Sequence, residues 1–127
     1  MRLLNRTFSG CDEPTPVRLD TSTGQCRFSS VPGDGEGAEN EDAVGVWELA
    51  PDTLVLALAD GMGGGPAGGE ASALALACLD RRLKRWKPGG GLRASILDAF
   101  ESANEQLRAE SRGSGASSTA LTNSCAA

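Results

Sequence analysis

Two short acidic groups in this 127-residue chain have the residue types for hard-cation chemistry, Asn40-Glu41-Asp42 and Asp60-Gly61. Asp60 closes the apolar run Leu54 to Ala59 and is followed by Gly61, Met62 and three further glycines. A carboxylate at that place, with glycines that let the backbone approach closely, can offer a cation one side-chain oxygen and one carbonyl oxygen. This is the outline of a magnesium or manganese site. The chain has neither histidine nor tyrosine. A Ser-His-Asp triad, a Cys-His pair, histidine metal ligands and imidazole acid-base chemistry are therefore excluded, and a catalyst built from these residues must use carboxylates or metal-bound water.

The elements that must position these groups follow from the apolar pattern. Leu54 to Ala59 has the length of a strand and is closed at once by glycine, so Asp60 falls at a strand end. Ala43 to Ala50 reads as a second strand with Val44, Val46 and Glu48 on one face, and Pro51-Asp52 makes the turn between the two. Antiparallel pairing of this hairpin brings Asn40-Glu41-Asp42 toward Asp60. A helix is expected from Ala67 to about Trp86, entered at Pro66 and stopped at Pro88-Gly89, with Leu76, Leu79, Leu83 and Trp86 at three-four spacing. Its basic end, Arg81 to Lys87, suits the helix dipole. Leu92, Ile96, Phe100, Ala103 and Leu107 mark one face of a second helix running to about Ser111. Residues 1–24 show no sustained period and read as an irregular arm or short edge strand. Gln25 to Ser30 reads as a strand, residues 31–38 as a turn-rich loop, and residues 113–122 as a turn back toward a further strand.

Composition bounds the function classes. The length suits one small domain, and the net charge of −5 with an ordinary apolar fraction suits a soluble globular protein. From Val31 to Asp60 there are eight acidic residues and no lysine or arginine. The bland reading, a solvated acidic loop, serves for Asp34, Glu36, Glu48 and Asp52. For Asp60 an apolar setting at a strand end would make an unpartnered carboxylate costly. The basic cluster of the first helix lacks interleaved aromatics beyond Trp86 and belongs to an acidic chain, so no nucleic-acid partner is expected. The four cysteines show no C-x-x-C spacing, and neither a zinc site nor a disulfide framework is expected. No run reaches membrane-spanning length, and a cytoplasmic location without membrane contact is expected.

At Asn40-Glu41-Asp42-Ala43 and Asp60-Gly61-Met62-Gly63-Gly64, followed by Gly68 and Ala71-Ser72, the chain resembles the metal-dependent protein phosphatases of the PPM or PP2C type. The resemblance runs from about Gln25 to Leu121, where Gly115 to Leu121 loosely matches a Gly/Ser/Thr-rich strand of the family. It implies an α/β fold of the α+β kind, part of an α-β-β-α sandwich with antiparallel strands packed on a helical hairpin. Residues 25–127 would be the N-terminal portion of the phosphatase domain. It further implies a two-metal centre of Mn2+ or Mg2+ in which Asp60 bridges the cations, Gly61 offers its carbonyl, and Glu41 and Asp42 act mainly through bound waters. The implied reaction is dephosphorylation of phosphoserine and phosphothreonine proteins by metal-bound water.

The chain departs from the family pattern in three places. Gly37 stands where many members carry a phosphate-binding arginine. Gly65 and Gly69 stand where the family often has histidine and glutamate, with Glu70 adjacent to the latter. The later aspartates that complete the metal centre have no counterpart in these residues, and a truncated or partial domain is expected. The alternative is therefore a catalytically inactive fragment or pseudophosphatase acting as a binding module. A less favoured reading takes Gly63-x-Gly65-x-x-Gly68 as a dinucleotide fingerprint, with Asp80 at the distance of the ribose-binding acid.

Overall fold

Strand β4 (Ala43–Ala50) organises the molecule because its sequence is apolar on both faces. In the computed structural model, which describes residues 3–35, 37–62 and 66–112, β4 is the middle strand of a three-stranded antiparallel sheet. Its neighbours are β1 (Asn5–Ser9) and β5 (Thr53–Ala59). A second antiparallel sheet is the hairpin of β2 (Glu13–Thr21) and β3 (Gly24–Ser30). Helices α1 (Pro66–Leu83) and α2 (Leu92–Arg112) pack against each other, and α1 lies on the three-stranded sheet. The fold is α+β, with antiparallel strands packed on a helical hairpin.

Side-chain alternation along β4 sends the two sets of residues into two cores. Ala43 and Trp47 join Val55 of β5, Leu76, Leu79 and Leu83 of α1 and Ala99 of α2. Val44 and Val46 join Phe8, Cys11 and Leu19 under the β2–β3 hairpin. The assignment of Val44, Val46 and Glu48 to one face holds: Glu48 is also buried on that side. Its carboxylate accepts hydrogen bonds from Leu4 N at 3.1 Å, from Ser22 N at 2.6 Å and from the Ser22 hydroxyl. These bonds to both ionised oxygens lower its pKa, the Ser22 hydroxyl most of all. Glu48 is thus a clasp between β4, the start of β1 and the β2–β3 turn, where the sequence alone read a solvated acid.

Trp47 is fully buried and its indole lies over Gly45, where a Cβ would stand 2.0 Å from the ring. The indole N–H donates to Asp80 Oδ1 at 2.9 Å, and Asp80 Oδ2 accepts from Lys84 Nζ at 2.6 Å. Asp80 is therefore engaged in holding α1 to β4. That position gives no support to the dinucleotide reading, and residues 63–65 of its glycine pattern lie outside the described residues.

Three expectations change. The stretch read as an irregular arm or short edge strand contains the short edge strand β1 and, beyond that reading, β2. Pro14 and Pro16 hide β2 from a periodicity reading, and they are tolerated because β2 belongs to a two-stranded sheet and carries a register shift between Glu13 and Val17. Phe100 is 59% exposed rather than part of the buried face of α2. Cys11 is disulfide-bonded, although the cysteine spacing does not announce a crosslink. The strand expected in residues 113–122 lies outside the described residues. No described helix is long and apolar enough to cross a membrane.

Candidate metal site at the end of the β4–β5 hairpin

The register of the hairpin pairs Ala43 with Ala59 and Val44 with Leu58. One step further, Asp42 stands opposite Asp60. The two carboxyl groups are within hydrogen-bonding reach of each other. The pKa of Asp42 is raised, first by partial desolvation, then by the charge of Asp60 and by the hydrogen bond between the two side chains. Both residues are exposed, so Asp60 does not stand in the apolar setting expected at the strand end. Two carboxylates so close present a cation with a pair of oxygens.

Asn40 fixes the approach to this pair. Its side-chain nitrogen donates to Cys11 O and to Ser30 Oγ, each at 2.8 Å, and its Oδ1 accepts from Asp42 N at 3.0 Å. One carboxamide thus ties the β1–β2 connection, the end of β3 and the entry to β4. The residue type and spacing place Asn40 in the motif, but nothing in a single sequence shows that its role is to position Asp42.

Glu41 points elsewhere. A Cβ on Gly68 would lie 2.6 Å from Glu41 Oε2, so the carboxylate rests against the first turn of α1. A negative charge is favourable at that end of a helix. The Glu41 carbonyl accepts from Ser72 Oγ at 2.6 Å. A Cβ on Gly61 would lie 2.1 Å from the Gly68 carbonyl oxygen and 2.7 Å from that of Glu41. Gly61, Gly68, Ser72 and Glu41 therefore form one close-packed junction where the strand end, the acidic group and α1 meet. Gly61 is glycine here for want of space, since its Cβ would meet backbone, whereas a Cβ at Gly68 would displace only the end of the Glu41 side chain.

Of the expected ligands, the structure brings Asp42 and Asp60 together, holds Gly61 beside them and turns the Glu41 carboxylate to the helix. Among the described residues no group of three or more acidic or cysteine side chains could enclose an ion. The donor set fits a single hard cation held between two carboxylates with water completing its shell. Compared with known proteins, the chain matches no family model, no curated protein and no solved structure.

Proposed function

We propose that this chain carries the first part of a metal-dependent phosphoprotein phosphatase centre of the PPM or PP2C type, acting on phosphoserine and phosphothreonine. The observation that carries the reading is the opposition of Asp42 and Asp60 at the glycine-packed end of the β4–β5 hairpin, which is where the resemblance puts the metal. A Mn2+ or Mg2+ ion bound there would supply a water of lowered pKa and charge to offset that of a phosphoryl group. Asp60 and Asp42 hold opposed negative charge for the cation. Asn40 fixes the backbone of Asp42, and the Gly61–Gly68 contact fixes the strand end against α1. Glu41 sets the start of α1 relative to both.

A second reading, an inactive binding module, is favoured by two observations. The described residues lack a third carboxylate near the pair. Gly37, at the place of the family's phosphate-binding arginine, has φ 73°, a conformation that an arginine adopts only with strain. Hydrolysis of a small aryl phosphate with added Mn2+ separates the two. The phosphatase reading predicts turnover that is lost with a chelator and with Asp60→Asn. Absence of turnover by a folded, Mn2+-binding chain would favour the binding module.

A further inference from the structure

The helical hairpin has a cationic end that the metal site does not use. Arg81, Arg82, Lys84, Arg85, Lys87 and Arg93 are six of the 12 lysines and arginines of the chain, and no acid stands between the first and the last. Three of them are engaged: Arg82 pairs with Asp98, Lys84 with Asp80, and Arg81 donates to Cys78 Sγ and to Gln106. Arg85, Lys87 and Arg93 are exposed and form no ion pair among the described residues. The turn that carries them is fixed, because Trp86 Nε1 donates to Gly90 O at 3.0 Å and Gly90 N donates to Lys87 O at 2.9 Å. The 18 residues of α1 span about 27 Å, roughly three Debye lengths at physiological salt. Glu41, at the other end of α1, therefore does not offset these charges.

Helix α2 has three edges of different character. Leu92, Ile96 and Ala99 turn inward to the core, and Ala103 is buried after them. Asp98 and Gln106 bond to Arg82 and Arg81 of α1. At roughly 100° per residue, Arg93, Leu97, Phe100 and Asn104 follow one another along a third edge, turned away from α1. Leu97 is 49% exposed and Phe100 59%. No acid lies on that edge, whereas Glu101 and Glu105 are exposed on the edge beside it. Residues 113–127 contain no acidic side chain and so offer Arg93 and Lys87 no counter-charge.

Two exposed apolar side chains one turn apart, with cations beyond one end, complement a helix with apolar residues three and four apart and carboxylates past them. The width of the edge decides among anionic partners. A bilayer surface or a nucleic-acid backbone covering Leu97 and Phe100 would also meet Glu101 and Glu105, whose charge repels it. A rod laid along the edge clears both acids. We propose that the Arg93–Leu97–Phe100 edge of α2, extended by Lys87 and Arg85, binds an acidic amphipathic helix of a partner protein. The apolar side chains of that helix cover Leu97 and Phe100, and its carboxylates pair with Arg93, Lys87 and Arg85. The surface is separate from the metal site and does not depend on it.

Fluorescence anisotropy of the full chain with a labelled peptide of about four helical turns tests this, the peptide having leucines at three-four spacing and glutamates at one end. Saturable binding is expected, weakened by salt. Arg93→Glu and Phe100→Ser should each raise the dissociation constant at least roughly tenfold with unchanged far-UV circular dichroism. Arg18→Glu, the same charge change on β2, should leave it unchanged. Amide shifts in a nuclear magnetic resonance titration should cluster between residues 85 and 104. No saturable binding, equal binding of a peptide with the same composition in scrambled order, or indifference to both α2 substitutions would overturn the proposal. So would preferential binding to equimolar phosphatidylserine–phosphatidylcholine vesicles or to a single-stranded oligonucleotide that is lost with Arg93→Glu, since either would give the surface to a different partner.

Discussion

At Asp42 and Asp60 two negative charges face each other at an exposed hairpin end, an arrangement that costs stability until a cation or proton neutralises it. The Asp42 carboxyl is raised by partial desolvation and by Asp60. A raised carboxyl favours the fold while protonated and opposes it once ionised, so the pair weakens the metal-free fold at neutral pH. Asp42→Asn or Asp60→Asn should therefore raise the metal-free melting temperature slightly, by about 0.2–1 kcal/mol of stability since both groups are solvated. Differential scanning fluorimetry at pH 7 with EDTA checks this, and a lower melting temperature in both variants would count against the repulsion. Glu48 behaves in the opposite sense. Its lowered pKa means that its contribution is present above the ordinary glutamate value of about 4.3 and is lost as pH falls through the folded value. The melting temperature of the wild type should drop more steeply below about pH 4.3 than that of Glu48→Gln, which is already deprived of the charge. Parallel curves would show that Glu48 is not the clasp described.

Among the elements, the β4–β5 hairpin and α1 are the parts most legible in the residues themselves. Apolar runs of strand length, a Pro-Asp turn and a glycine stop define the hairpin, and Pro66 and the leucine spacing define α1. The hairpin register then follows, and with it the Asp42–Asp60 opposition. Less legible are features that depend on partners distant in sequence. Glu48 reads as one more acid in an acidic stretch because its donors, Leu4 and Ser22, come from elsewhere in the chain. Phe100 fits the helical period of α2, but periodicity cannot say which apolar residue of that period stays exposed. The close packing of Gly61 and Gly68 is likewise invisible to a turn-based reading of glycines. Two substitutions test these element contacts. Gly61→Ala drives a Cβ against the Gly68 and Glu41 carbonyls and should destabilise by about 1–3 kcal/mol, the range for an overpacked site, measured by urea denaturation. Trp47→Phe removes the donor to Asp80 and leaves a void, and a similar loss of about 1–3 kcal/mol is expected. A change within error for either would show that its contact is dispensable.

For the whole molecule, α1 lies across the three-stranded sheet, meeting its middle strand β4 foremost and β5 and β1 less. The acidic pair lies where the β4–β5 hairpin ends. The site is thus assembled from one hairpin and the start of one helix. The rest of the fold supplies the frame: Asn40 links it to the β2–β3 hairpin, and Asp80 links α1 to β4. A cation held by so few protein donors should bind weakly and depend on each carboxylate.

Titration of the purified, chelator-treated chain with Mn2+, followed by calorimetry and by the loss of the free-ion paramagnetic resonance signal, tests the central claim most directly. The account predicts saturable binding of Mn2+ to the wild type, abolished by Asp60→Asn, strongly weakened by Asp42→Asn and unchanged by Asp34→Asn in the neighbouring loop. Binding that survives both substitutions at the hairpin end, or no binding by the folded wild type, would contradict it.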